Sequence, residues 1–201
     1  TTYMGFFGSI EDGNIQNLTV EGDIYNESGN SGIVVAKIKG GTISNVTSKG
    51  ILSAIGTSVA GIAGNAEGCS ITDCVNEAKI TGKQYIGGIV GSFLLGDITG
   101  CTNSGDITGG AAVGGIIGSS EADAVIADCV NSGDIQATNS GPYIAGAGGI
   151  VGMLTTTSSQ SSKDVIVINT INKGQVSVPN GLCAGGIVGI AGSSSSDKKD
   201  I

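Results

Sequence analysis

The sequence predicts an all-β fold, a right-handed parallel β-solenoid of about six to seven coils with a repeat of ~27 residues. Three observations predict it. First, a Gly-x-x-Gly box with an apolar centre recurs: Gly5-Phe6-Phe7-Gly8, Gly32-Ile33-Val34-Val35, Gly61-Ile62-Ala63-Gly64, Gly88-Ile89-Val90-Gly91, Gly115-Ile116-Ile117-Gly118, Gly149-Ile150-Val151-Gly152 and Gly186-Ile187-Val188-Gly189. Successive boxes begin 27, 29, 27, 27, 34 and 37 residues apart. Second, another motif keeps the same beat. It reads Leu18-x-Val20-x-Gly22-x-Ile24, then a looser Val46, Ser48 and Gly50. It continues as Cys74-x-Asn76-x-Ala78-x-Ile80, Cys101-x-Asn103-x-Gly105-x-Ile107, Cys129-x-Asn131-x-Gly133-x-Ile135 and Thr170-x-Asn172-x-Gly174-x-Val176. Third, 37 glycines, 3% aromatics and no His or Trp in 201 residues would fill a bulky globular core poorly, whereas thin stacked coils need little bulk.

Each period offers three short extended runs: the box with its apolar pair, the segment centred on Cys-x-Asn, and the Gly-x-Ile stretch. Helix formers are sparse and β-branched residues abundant, so local propensity favours strand throughout. The motif positions share one parity, and in an extended chain such side chains face one side. That side is apolar or small, as an interior requires. Glycines at fixed positions mark corners or close approach of neighbouring backbones.

Two polar rows follow the repeat. Asn76, Asn103, Asn131 and Asn172 align as an amide ladder, each side chain bonding its equivalent or a corner backbone group. The row Asn17, Asn45, Asp73, Asp128 and Asn169, interrupted by Gly100, suits turns, where Asn and Asp bond locally. Cys74, Cys101 and Cys129 share a column with Leu18, Val46 and Thr170, which asks for a small buried side chain rather than a sulfur pair. A row of thiols is not the tetrahedral cage that zinc prefers, and side-by-side Cβ vectors make a strained disulfide. Cys69 and Cys183 lie coils apart and are not expected to meet. No cofactor is implied.

The expected domain is a single solenoid over 1–192, with a polar linker or tail over 193–201. At its start the aromatics Tyr3, Phe6, Phe7 and Tyr25 could cover the first coil. Near its end the beat stretches twice, so 136–148 and 153–164 are expected to leave the coil as surface loops. Asn139, Pro142, Tyr143, Thr155, Ser159 and Gln160 are the candidate partner-binding residues there. The sequons at Asn17, Asn26 and Asn45 are read as chance matches, because two fall in the packed turn row.

Seventeen acids against nine bases give a net charge of −8. No basic stripe is present, so nucleic acid is not an expected partner. No apolar run approaches the ~20 residues of a membrane-spanning helix, so membrane insertion is not expected. The chain opens on Thr1-Thr2-Tyr3 without a signal-peptide pattern, which reads as a mature form or a segment of a longer protein with flanking domains.

The box followed by Cys-x-Asn-x-Gly-x-Ile resembles the GLUG repeat, over nearly the whole chain. That repeat occurs upstream of the catalytic domain in streptococcal immunoglobulin A metallopeptidases and in large surface proteins of gut bacteria. The resemblance implies an extracellular or cell-surface module in an adhesin-like or peptidase-like parent. It implies no chemistry, since the zinc-binding His-Glu-x-x-His of those peptidases lies outside the repeats. Val35 and Gly100 depart from the pattern.

The expected function is that of a non-catalytic rigid spacer whose loops present themselves to a host protein or glycan. The alternative is a polysaccharide-active β-helix enzyme using Asp106 and Asp134, which occupy equivalent positions in adjacent coils. Carboxylates that close can split into an acid and a base. Asp23 shares the position, however, which favours a corner role. Regular Thr columns for ice binding and the Gly-Gly-x-Gly-x-Asp calcium nonapeptide are both absent.

Overall fold

A computed structural model describes residues 2–121, 123–138, 146–156, 164–178 and 183–193. Among these, the regular elements are all strands, and every pairing between them is parallel. One coil shows the plan: Val90–Thr99, then the two-residue Thr102–Asn103, then Ile107–Gly114. The three sides are thus unequal, with the cysteine and asparagine segment the shortest. Burial alternates along it as the single parity predicts: Cys101, Asn103, Gly105 and Ile107 are buried, and Ser104 and Asp106 are exposed.

Like residues stack on like. Ile24, Leu52, Ile80, Ile107, Ile135 and Val176 form one column, six levels joined by five turns. A seventh level is reached by the box strands, from Phe7 through Val35, Ala63, Val90, Ile117 and Val151 to Val188, and by the short strands just before them, from Met4 through Ser31, Val59, Ile86, Val113 and Ala147 to Ala184. The expected six to seven coils therefore slightly exceed the turns that close. A further interior column, Ile15, Ile43, Ile71, Ile98, Ile126 and Val167, follows the same beat.

The pairing corrects the box of the second coil. Gly32 aligns with Ala60 and Gly87, one residue before the box, and Val35 aligns with Phe7 and Ala63. The second box is therefore Ile33 to Ala36, and the first two periods become 28 and 28 residues instead of 27 and 29. The reason lies in the Asn ladder. A Cβ added at Gly61, Gly88, Gly115 or Gly149 would overlap the amide of Asn76, Asn103, Asn131 or Asn172 respectively, and a carbonyl of the next coil. In the coil that opens its box with Ile33, the ladder position holds the smaller Ser48.

The ladder runs in one direction. Ser48 Oγ donates to Asn76 Oδ1 at 2.8 Å, Asn76 Nδ2 to Asn103 Oδ1 at 2.7 Å, Asn103 Nδ2 to Asn131 Oδ1 at 2.7 Å, and Asn131 Nδ2 to Asn172 Oδ1 at 2.8 Å. Each amide also donates within its own coil, to the carbonyl two residues on, at 2.9 to 3.0 Å. The backbone partner is thus local, whereas the sequence reading places it on an adjacent coil. In Asn76, Asn103 and Asn131 both Nδ2 hydrogens are used, so burial leaves no donor unpaired there.

The second polar row is a corner in the left-handed region. Asn17, Asn45, Asp73, Asp128 and Asn169 have φ of 54°, 52°, 52°, 54° and 53°, and Gly100 joins them at 67°. Gly100 therefore continues the row by other means, since glycine adopts this conformation at no steric cost and Asn or Asp at little.

The interior is thin and aliphatic, with Phe93 its one fully buried aromatic among the described residues. Phe93 stacks between Ala66 and Ser120, so its bulk is offset by small neighbours on both levels. The buried hydroxyls of Ser119 and Ser120 have no hydrogen-bond partner among the described residues. At the first coil the expected aromatic cover is partial. Phe7 packs against the core and Phe6 meets it edge-on at 5.0 Å, but Phe6 and Tyr25 are exposed.

Cys74, Cys101 and Cys129 are buried, free and adjacent. Hydrogen bonds with the Cys129 and Cys74 thiols, then burial, push the Cys101 thiol well above its ordinary value. Cys101 in turn holds its two neighbours lower by hydrogen bonding. Cys69 is buried separately and is pushed up to about 11 by desolvation, whereas Cys183 is exposed.

The insertions are narrower than expected. Ile135–Ala137 and Gly146–Gly148 are paired strands, and so is Val151–Thr156, in which Thr155 pairs with Gly192. Met153 to Thr156 thus extend the sheet, because the last coil supplies Ile190 to Ser193 opposite them. Asn139, Pro142, Tyr143, Ser159, Gln160 and the tail from 194 lie outside the described residues.

Three outcomes follow for stability. Gly61→Ala should destabilise the protein by about 2–4 kcal/mol. In an Asn76→Ser background that cost should shrink by about 1 kcal/mol or more, measured as a double-mutant cycle of urea melts; additivity would show that the amide is not what the glycine accommodates. Ser120→Ala should leave stability unchanged or raise it by up to about 1 kcal/mol, since it removes an unpaired buried hydroxyl. Because the Cys69 thiol ionises later in the folded than in the unfolded chain, its contribution is complete below about pH 9 and is lost as pH rises towards about 11. Cys69→Ala should therefore show a shallower fall of melting temperature over that alkaline window than the parent.

Candidate binding surface

On the side of the solenoid that carries the Gly-x-Ile strands, the residues before and after each buried isoleucine point outward. They make two columns. One runs from Lys79 through Asp106 and Asp134 to Gln175, as the interstrand bonds from Ile80 N to Asp106 O, Ile107 N to Asp134 O and Ile135 N to Gln175 O require. The other runs from Thr81 through Thr108 and Gln136 to Ser177. Between them lie buried Ile80, Ile107 and Ile135. The columns border a shallow, polar depression of about 220 Å³, lined from Lys79 to Ser177 and without an apolar side chain.

The two carboxylates proposed for catalysis meet here, and each has a structural task. Asp106 Oδ1 accepts the backbone N–H of Asp134 at 3.1 Å, and Asp134 Oδ1 accepts that of Gln175 at 2.9 Å. Asp23 does the same for Ile51 N at 3.0 Å. This is the corner role that the recurrence of Asp23 favours, and it fixes the side-chain torsions by bonding to the next coil. Among the described residues, the second oxygen of each carboxylate has no partner, and Lys79 makes no ion pair. The chain contains no His to complete a hydrolytic dyad.

Among the described residues, no group of three or more His, Cys, Asp or Glu is placed to hold a metal. The thiol column is enclosed by the core and faces backbone carbonyls, with Cys74 Sγ 3.2 Å from Thr72 O and Cys129 Sγ 3.2 Å from Ala127 O. It is structural. Thr155, the one candidate loop residue that is described, sits half-buried in a paired strand. The sequence reading missed Lys79, Thr108, Gln136, Gln175 and Ser177 because they repeat no single residue type. Their signal is positional: each flanks the isoleucine, or Val176, that closes the motif.

Elsewhere on the surface, charges alternate between levels. Lys39 pairs with Glu67 at 3.4 Å and Lys49 with Glu77 at 3.0 Å, while Glu11 and Glu21 align with the same lysines from the other side. Such exposed pairs contribute under about 1 kcal/mol each. Their chief effect is to keep like charges apart.

Comparison with known proteins places two coils directly. The GLUG motif matches residues 82–108 and 109–136. Each match contains one box and one Cys-x-Asn-x-Gly-x-Ile run, and the two together carry the central part of the polar depression. No curated protein matches the chain. A solved structure, a "putative immunoglobulin A1 protease from Bacteroides ovatus", is similar at 18% sequence identity and a TM-score of 0.44, covering 90% of this chain and 67% of that one. The chain is a β-solenoid that carries the GLUG motif in two consecutive copies at 82–136.

Proposed function

We propose that the chain is a non-catalytic rigid spacer in a larger secreted or cell-surface bacterial protein, holding other domains apart and presenting side-chain columns and inserted loops to a host protein or glycan. The observation that carries this reading is the unbroken registration of level on level, from Tyr3 paired with Asn30 to Thr156 paired with Ser193. Six levels are tied to one another by backbone bonds on three sides and by stacked isoleucines, and the amide ladder joins those from Ser48 to Asn172. Bending the stack would open one side while compressing another. Repeat proteins whose units contact only their neighbours gain stiffness from such interfaces.

The acidic columns also support this reading. Asp106 and Asp134 are occupied as backbone acceptors, and the acidic net charge of −8 keeps such a rod soluble and away from polyanions. In the sequence the repeat lengthens at 136–148 and 153–164, and binding in repeat proteins often lies in such lengthened stretches.

Two measurements test the proposal. Spin labels on Glu21 and Lys173, exposed residues in the first and last coils, should give one narrow distance distribution by pulsed dipolar spectroscopy in a Cys183→Ser background. A broad distribution would remove the spacer role. Surface labelling of intact cells should reach the parent protein; labelling only after lysis would overturn the location.

A further inference from the structure

We propose that the double column of Lys79, Asp106, Thr108, Asp134, Gln136 and Gln175 is a binding site for a neutral oligosaccharide lying along the solenoid axis. The proposal deepens the glycan-presenting part of the reading above, on which it rests, and is independent of the spacer role.

The chemistry of the lining selects the ligand class. Asp106 and Asp134 are each anchored through Oδ1 to the next coil, which leaves one immobilised carboxylate oxygen per level to accept a hydroxyl. Charge-assisted acceptors of this kind bond hydroxyls strongly, and holding them in place beforehand lowers the cost of binding. Gln136, Gln175 and Thr108 supply both donors and acceptors, and among the described residues their side chains make no hydrogen bond within the chain. A polyhydroxylated ligand needs this mixture.

Other ligands fit less well. One lysine against two carboxylates gives this patch a net charge of −1, which disfavours polyanions. An apolar or lipid face would meet no apolar side chain. A peptide cannot add here as a strand, because Ile107–Gly114 is already paired on both sides, with Lys79–Gly87 and with Ile135–Ala137. The columns repeat at the strand-stacking distance of ~4.8 Å, so successive levels offer polar groups at a constant rise. A ligand that itself repeats can engage several levels, and multiple weak contacts then act together. The described face has no aromatic platform for a sugar ring, so the expected affinity is weak, on the order of millimolar.

The test is a titration of the isotopically labelled chain, followed by backbone amide shifts, with cellohexaose, maltohexaose and chitohexaose as separate probes. At least one should give saturable shifts centred on 106–108, 134–136 and 175–177. An Asp106→Asn, Asp134→Asn double variant keeps an Oδ1 for each backbone N–H, so it should melt as the parent does and bind roughly tenfold more weakly. If that variant fails to fold, Thr108→Ala with Gln136→Ala, which alters no backbone bond, should weaken binding instead. No shift with any of the three probes, shifts mapping elsewhere, or unchanged affinity in the folded variant would each overturn the site. Saturable shifts at the same amides from calcium chloride alone would overturn the saccharide assignment in favour of a cation.

Discussion

Parallel stacking in register forces every side chain to lie against its own equivalent one level away, so each column must be compatible with itself. Isoleucine meets this condition through dispersion and burial, about 1.5–3 kcal/mol for each fully buried side chain. A carboxamide meets it because it is both donor and acceptor, and a thiol does so weakly for the same reason. A carboxylate does not, since like charges repel at stacking distance. The protein resolves that conflict in two ways: it alternates the sign, as in Glu11, Lys39 and Glu67, or it gives each carboxylate a backbone N–H from the next level, as at Asp106 and Asp134.

Self-compatibility also links the two sequence motifs in space. The amides of Asn76, Asn103, Asn131 and Asn172 run as a directed chain of donors, and chains of hydrogen bonds in a low dielectric strengthen one another. That chain needs room, and the opening glycines of four boxes provide it. The box and the Cys-x-Asn run are therefore one structural unit folded across the thickness of the solenoid. Where Ser48 starts the chain instead of an amide, Ile33 occupies the box position, so the two halves of the unit change together within one coil.

The columns were legible in the sequence because buried self-compatible positions repeat a residue type, and repeated types are visible without coordinates. Three features were not legible. The second box was misread by one residue because Gly32 supplies the expected spelling, whereas alignment depends on which residue faces Ser48. The strand Val151–Thr156 was taken in part for a loop because its partner, Val188–Ser193, comes 37 residues later and carries no spelling that announces pairing. The outward columns escaped notice because solvent imposes no self-compatibility on uncharged groups, so Thr108 can stack on Gln136 and Gln136 on Ser177 without penalty.

This last freedom bears on where function can reside. A residue inside the stack can change only to one that its neighbours above and below accommodate, as Ala66 and Ser120 accommodate Phe93, so the interior carries little information beyond the fold itself. The outward positions are constrained only where charge accumulates, and there the constraint is visible: two like carboxylates stand on adjacent levels, each immobilised by a backbone bond, with a lysine one level away and no ion pair among the described residues. A purely structural corner would be served as well by Asn, which accepts the same N–H without the repulsion. The carboxylates on both levels each keep an oxygen unshared among the described residues, which makes this face the place where the coil chemistry exceeds what stacking requires.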